Sequence, residues 1–118
     1  MQAQADNGTN AAEGRVVTLV NKFTLHASPE DFERVFAETS AFMAAQPGFL
    51  NHTLLRHMDQ KDSYVNIALW RDMEAFRKAV AHPEFRQHAA ALRALSTSEP
   101  NLYTQRLHSG QPAGDVHA

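Results

Sequence analysis

The segment SYVNIALW, residues 63–70, is apolar on both of the rows that a β-strand would make of it. Alternate residues of a strand face opposite sides, so Val65, Ile67 and Leu69 form one row and Tyr64, Asn66, Ala68 and Trp70 the other. Neither row is polar enough to meet water. The strand is therefore expected in a sheet with helices of the same chain on one face and a second surface on the other. An exposed aliphatic sheet face implies a partner, and a symmetric homodimer is the simplest supply. Hydrophobicity alone would put Val65, Ile67 and Leu69 under the helices. Asn66 and Trp70 are assigned to the helix side instead, in part because Asn21 of VTLVNKFTL also falls on the more apolar row of its strand, with Val17, Leu19 and Phe23.

The rest of the chain supplies the covering elements. Arg15 to His26 alternates apolar and polar residues and reads as a first strand. Ser28-Pro29-Glu30-Asp31 offers an N-cap, a proline at the first helical position and acids in the first turn. The predicted helix carries Phe32, Val35, Phe36, Thr39, Phe42, Met43 and Gln46 on one stripe and stops at Pro47-Gly48. Phe49 to Met58 and Ser63 to Trp70 then form an antiparallel hairpin about the polar turn Asp59–Asp62. Asp72 caps a short helix containing Met73, Phe76 and Val80, His82-Pro83 interrupts it, Glu84 to Leu95 continues as a second piece, and Asn101 to His108 closes as a last strand. The order strand, helix, strand, strand, helix, strand predicts an α+β fold, the ferredoxin-like split βαβ arrangement with an antiparallel sheet.

One domain is expected over residues 15–108, since residues 1–14 and 109–118 hold few large apolar side chains and read as tails. A body of that size supports one modest core. The net charge of −2, with basic and acidic residues interspersed, provides no stripe for nucleic acid. The absence of cysteine removes disulfides, thiolate nucleophiles and zinc fingers. With no signal-peptide pattern and no apolar run of membrane-spanning length, the expectation is a cytoplasmic protein with no membrane partner.

Little of the usual chemistry is present. There is no HExxH, no carboxylate cluster, no GxSxG elbow and no Gly-rich phosphate loop, so metal, serine-triad, nucleotide and flavin sites are not expected. The serines are expected in caps and turns. What remains is Asn21, Asn66 and Trp70, the only tryptophan, on helix-facing rows. A buried amide without a partner costs about 1–3 kcal/mol. Either neighbouring backbone satisfies each amide and Trp70 is ordinary core, or the three line an apolar cavity that hydrogen-bonds a flat, carbonyl-bearing ligand. In the second case an amide donor would favour an enolate oxygen as an oxyanion hole does, and the substrate anion itself could reduce dioxygen. His52 and His88 stand out as possible bases.

The body from Val16 to Leu107, with VTLVNKF, AAQPGFL, SYVNIALW and EAFRKAVAHPEFR in that order, resembles the antibiotic biosynthesis monooxygenase superfamily of dimeric α+β barrels. It looks most like the cofactor-independent anthrone monooxygenases of bacterial aromatic polyketide (anthracycline and nogalamycin-type) biosynthesis. The resemblance implies a homodimer that oxidises a polycyclic anthrone to the anthraquinone with dioxygen and no cofactor. It assigns Asn21, Asn66 and Trp70 as catalytic, and Phe42, His52, Leu54, Phe76 and His88 are expected to bind the substrate. Phe76 stands where an actinorhodin-type relative has tyrosine, so a mechanism needing that phenol is not implied. The haem-degrading branch, with its functional tryptophan at Ala79 and its haem ligand near Ala89, one residue from His88, is an alternative. A non-catalytic small-ligand-binding dimer of the same fold is another.

Overall fold

The computed structural model describes residues 15–110, so the expected N-terminal tail and all but two residues of the C-terminal one lie outside the described residues. Seven elements follow in order: β1 (Val17–Leu25), α1 (Pro29–Ala44), β2 (Phe49–Arg56), β3 (Ser63–Trp70), α2 (Met73–Ala81), α3 (Pro83–Arg93) and β4 (Ser96–Thr104). The strands make one antiparallel sheet in the order β2-β3-β1-β4, the split βαβ arrangement.

Local chemistry explains the boundaries. Ser28 caps α1 by accepting from the Asp31 N–H at 3.1 Å, and Pro29 begins the helix. After α1 the chain reverses through Gly48, whose φ of 88° is left-handed. A Cβ at Gly48 would run into the Ala75 side chain, so glycine is required on two counts. The Gly48 carbonyl then accepts from the Arg71 N–H at 2.7 Å, tying this turn to the end of β3. Asp72 caps α2 through the Ala75 N–H, and that bond, more than the neighbouring Arg71, holds its carboxyl below the usual carboxylate range. His82 ends α2 and caps α3, its Nδ1 accepting from the Glu84 N–H at 3.0 Å.

The last strand differs from expectation. It begins at Ser96 rather than Asn101 and ends at Thr104 rather than His108. Pro100 suggests a break only if the strand is internal; β4 lies at the sheet edge, where a proline need not donate to a ladder. Buried Ser96 bonds the Leu92 carbonyl at 2.8 Å and pairs with Leu25, so the strand starts directly after α3. It ends where β1 begins, with Thr104 opposite Val17.

Two clusters make the core. Phe23, Leu25, Phe32, Phe36, Tyr64 and Leu92 form one, with Val35 and Leu54 against it. Ala68, Trp70, Ala75 and Ala79 form the other, with Leu19, Met43, Phe49 and Phe76. The assigned facing of β3 is borne out: Trp70 is 0% exposed and Asn66 8%, while Val65, Ile67 and Leu69 are half-buried on the face without helices.

Candidate active site

Between the two clusters lies a cavity of about 330 Å³, within the range of small-molecule sites. Its walls are mainly aromatic and aliphatic: Phe23, Phe36, Phe49, Phe76, Phe85 and Trp70, with Leu19, Met43 and Leu92. Phe49 and Phe76 meet the Trp70 indole edge-on, at 5.3 Å and 5.9 Å between ring centroids. These contacts fix the plane of the indole.

Into this apolar space the sheet delivers few polar groups. The β1–β3 register makes Asn21 and Asn66 direct cross-strand partners, so both amides reach the cavity side by side. Trp70 lies two pleats along the same row of β3, opposite Val17. Asn21 Oδ1 and Trp70 Nε1 are buried without a hydrogen-bond partner among the described residues. Buried polar atoms in native proteins are almost always satisfied, and each orphan here costs about 1–3 kcal/mol. One acceptor and one donor, unpaired in the same cavity, are what a ligand-binding site retains and an ordinary core removes.

Asn66 is held differently. Its Oδ1 lies 3.0 Å from His52 Nδ1, and His52 Nε2 lies 2.5 Å from Ser40 Oγ on α1. Both ring nitrogens of His52 are thus engaged, and neither is free to act as a base toward a ligand. Among the described residues the Asn66 side chain makes no other hydrogen bond, and its amide lines the cavity.

Of the expected site residues, Asn21, Asn66, Trp70, His52 and Phe76 line the cavity together. The other three do not. Leu54 packs against the Phe23–Phe32–Tyr64 cluster. Phe42 and His88 stack on each other at 5.1 Å between centroids, joining α1 to α3, and His88 Nε2 meets Glu84 Oε2 at 3.1 Å. His88 therefore serves helix packing and is not aimed into the cavity, which removes the residue on which the haem alternative depended. Ser40 was missed, and it sits inside α1 rather than in a cap or turn. Its place four residues after Phe36 and three before Met43 puts it on a cavity-facing stripe, a periodicity that could have found it. Arg93, Ser98 and Pro100 also reach the lining, and the misplaced start of β4 hid the last two. Among the described residues no group of three or more His, Asp or Glu could hold a metal ion. Among them, too, no helix is long and apolar enough to cross a membrane.

Comparison with known proteins accords with this geometry. The sequence profile of the antibiotic biosynthesis monooxygenase family matches residues 16–91. The chain belongs to that family. Over 120 residues it is 57% identical to deoxynogalonate monooxygenase of Streptomyces nogalater, covering 99% of each chain. The crystal structure of SnoaB, a cofactor-independent oxygenase from Streptomyces nogalater, superposes with a TM-score of 0.80 at 58% identity, covering 82% of this chain and 99% of that one. A conserved protein from Methanosarcina mazei, 13% identical, has a TM-score of 0.68 over 82% of this chain and 99% of its own, a likeness of fold alone. This antibiotic biosynthesis monooxygenase family member thus has its cavity within the matched segment, apart from the end of α3 and β4.

Proposed function

We propose that this protein is a cofactor-independent monooxygenase that oxidises a polycyclic polyketide anthrone to the anthraquinone with dioxygen. The observation that carries the reading is the cavity itself, an apolar, aromatic-walled space in which Trp70 Nε1 and Asn21 Oδ1 are buried without a partner among the described residues beside the amide of Asn66. The identity to a named deoxynogalonate monooxygenase and to a cofactor-independent oxygenase supports the same reaction class.

The chemistry follows from where charge develops. Loss of a proton from the methylene opposite the anthrone carbonyl gives an anion whose charge delocalises onto the carbonyl oxygen. Donors aimed at that oxygen in a low-dielectric site stabilise the anion more than they would in water. The anion passes one electron to dioxygen, and the carbon radical and superoxide combine to a peroxide. Protonation of the peroxide and loss of the remaining methylene hydrogen with hydroxide yield the quinone and one water. All four electrons that reduce dioxygen come from the substrate carbon as it passes from methylene to carbonyl. Phe36, Phe49 and Trp70 hold the rings in place and keep bulk water from the anion.

The protein works as a homodimer in this reading. Opposite the helices, Val20, Val65, Ile67 and Leu69 are half-buried, and Leu55 and Tyr103 on the same face are 45% and 53% exposed. A contiguous aliphatic sheet face of this kind calls for a second surface.

The test is anthrone turnover by chelator-treated protein. Quinone should form at an undiminished rate, require dioxygen and be indifferent to added nicotinamide or flavin. Inactivity until a metal or flavin is restored would overturn the proposal.

A further inference from the structure

An amide has two chemically opposite ends, and which end faces the cavity decides whether Asn66 stabilises an oxyanion or repels one. We infer that His52 is a positioning residue that fixes this choice: its Nδ1–H holds the Asn66 carbonyl oxygen, so the amide nitrogen is presented to the substrate as a donor. Ser40 holds the imidazole in the required tautomer from the other side. The inference rests on the proposed anthrone oxidation and adds a residue to it.

A neutral imidazole has one donor and one acceptor nitrogen. The contacts of 2.5 Å from Ser40 Oγ to Nε2 and 3.0 Å from Nδ1 to Asn66 Oδ1 therefore form a chain that can run in only two directions. In one, Ser40 donates to Nε2, Nδ1–H donates to Asn66 Oδ1, and the amide nitrogen faces the cavity. In the other, the Asn66 nitrogen donates to Nδ1, Nε2–H donates to Ser40, and the carbonyl oxygen faces the cavity.

The neighbouring strand breaks the tie. Asn21 is the register partner of Asn66 and already brings an unpaired Oδ1 to this place. The second direction would set two amide carbonyl oxygens side by side on paired strands, whereas the first sets a donor beside an acceptor. The hydroxyl of Ser40 is available for the first. Its neighbour Thr39 returns its own hydroxyl to the Val35 carbonyl at 3.4 Å, while Ser40 instead spends its hydroxyl on the imidazole. The rings of Phe36 and Phe49 pack against the imidazole, at 5.7 Å and 6.1 Å between centroids.

Two measurements decide it. Nitrogen NMR of the unmodified protein with isotope-labelled histidine should find His52 carrying its proton on Nδ1; an Nε2–H tautomer overturns the assignment. Then His52→Phe, which keeps a ring and removes both nitrogens, is measured in the native and the Asn66→Ala backgrounds. In the native background kcat should fall by about tenfold or more, with KM moving less, as expected when a transition-state donor is misaligned. In the Asn66→Ala background no further loss should appear. His52→Asn, which restores a donor near the Nδ1 position, should recover much of kcat. An equal loss in both backgrounds would mean that His52 acts on the substrate directly, and the inference fails. If His52→Phe does not fold, Ser40→Ala carries the same cycle. Should the unmodified protein turn over no anthrone at all, the proposed reaction is what has failed, and the tautomer measurement still decides the orientation of Asn66.

Discussion

At the scale of single residues, three polar atoms separate this cavity from an ordinary core. Asn66→Ala should lower turnover by about 10²–10³, the loss typical of one oxyanion-type donor. Stability should fall by less than turnover does, by about 1–3 kcal/mol, because the substitution also removes the Oδ1 that His52 Nδ1 meets at 3.0 Å. Unchanged activity in the folded variant would assign the amide to structure. Trp70→Phe separates wall from donor: it keeps an aromatic ring between Phe49 and Phe76 and removes an N–H that no atom of the described residues accepts. A large loss of rate with full stability is expected. A fully active Trp70→Phe alongside an inactive Trp70→Ala would make the indole a wall only. The identity of these residues was legible in the sequence, because an amide on an apolar strand row contradicts its surroundings. Their pairing was not. Register is a property of two strands together, and nothing in either strand alone states that Asn21 lies opposite Asn66. Phe42 and His88 show the converse limit. Both sit on apolar helix stripes, yet a stripe cannot say which part of it meets a neighbouring helix and which part meets a cavity.

At the scale of elements, the boundaries with a local chemical cause were readable and those set by a neighbour were not. Ser28-Pro29, Asp72 and His82-Pro83 each carry their own cap, and each marks a boundary as expected. The start of β4 depends on its being an edge strand beside β1, which the segment Ser96–Pro100 does not state by itself. The turn after α1 yields a stability prediction. Gly48→Ala should destabilise by more than about 1–2 kcal/mol, the cost of a left-handed residue with a side chain, because the new methyl also meets Ala75. A denaturant midpoint equal to that of the native protein would refute this. On the far side of the core, burial first and then the Glu33 carboxylate, which accepts from the Tyr64 hydroxyl at 2.5 Å, push the Tyr64 phenol from 10.0 up to about 12. The folded pKa exceeds the unfolded one, so this contribution to stability is complete below pH 10 and is lost as pH rises through about 12. Tyr64→Phe should therefore flatten the fall in stability across that window. An unaltered profile would place the alkaline transition elsewhere.

At the scale of the whole molecule, the two-sided apolarity of β3 carries both halves of the account, since one row lines the cavity and the other asks for a second subunit. Ile67→Asp places a charge on the helix-free face, opposite the row of β3 that lines the cavity, and should dissociate or unfold the protein. A native protein that is monomeric by light scattering at micromolar concentration would remove the dimer from the account. The central claim is that the cavity stabilises a substrate anion, which then reduces dioxygen itself. The most direct measurement is the absorbance spectrum of anthrone bound to metal-stripped protein without dioxygen, followed by admission of dioxygen. The anion should accumulate on the native protein at a pH where free anthrone is neutral, accumulate far less on Asn66→Ala, and convert to quinone when dioxygen enters. Quinone formation from an anthrone that stays neutral while bound, with equal spectra for the native and Asn66→Ala proteins, would contradict it.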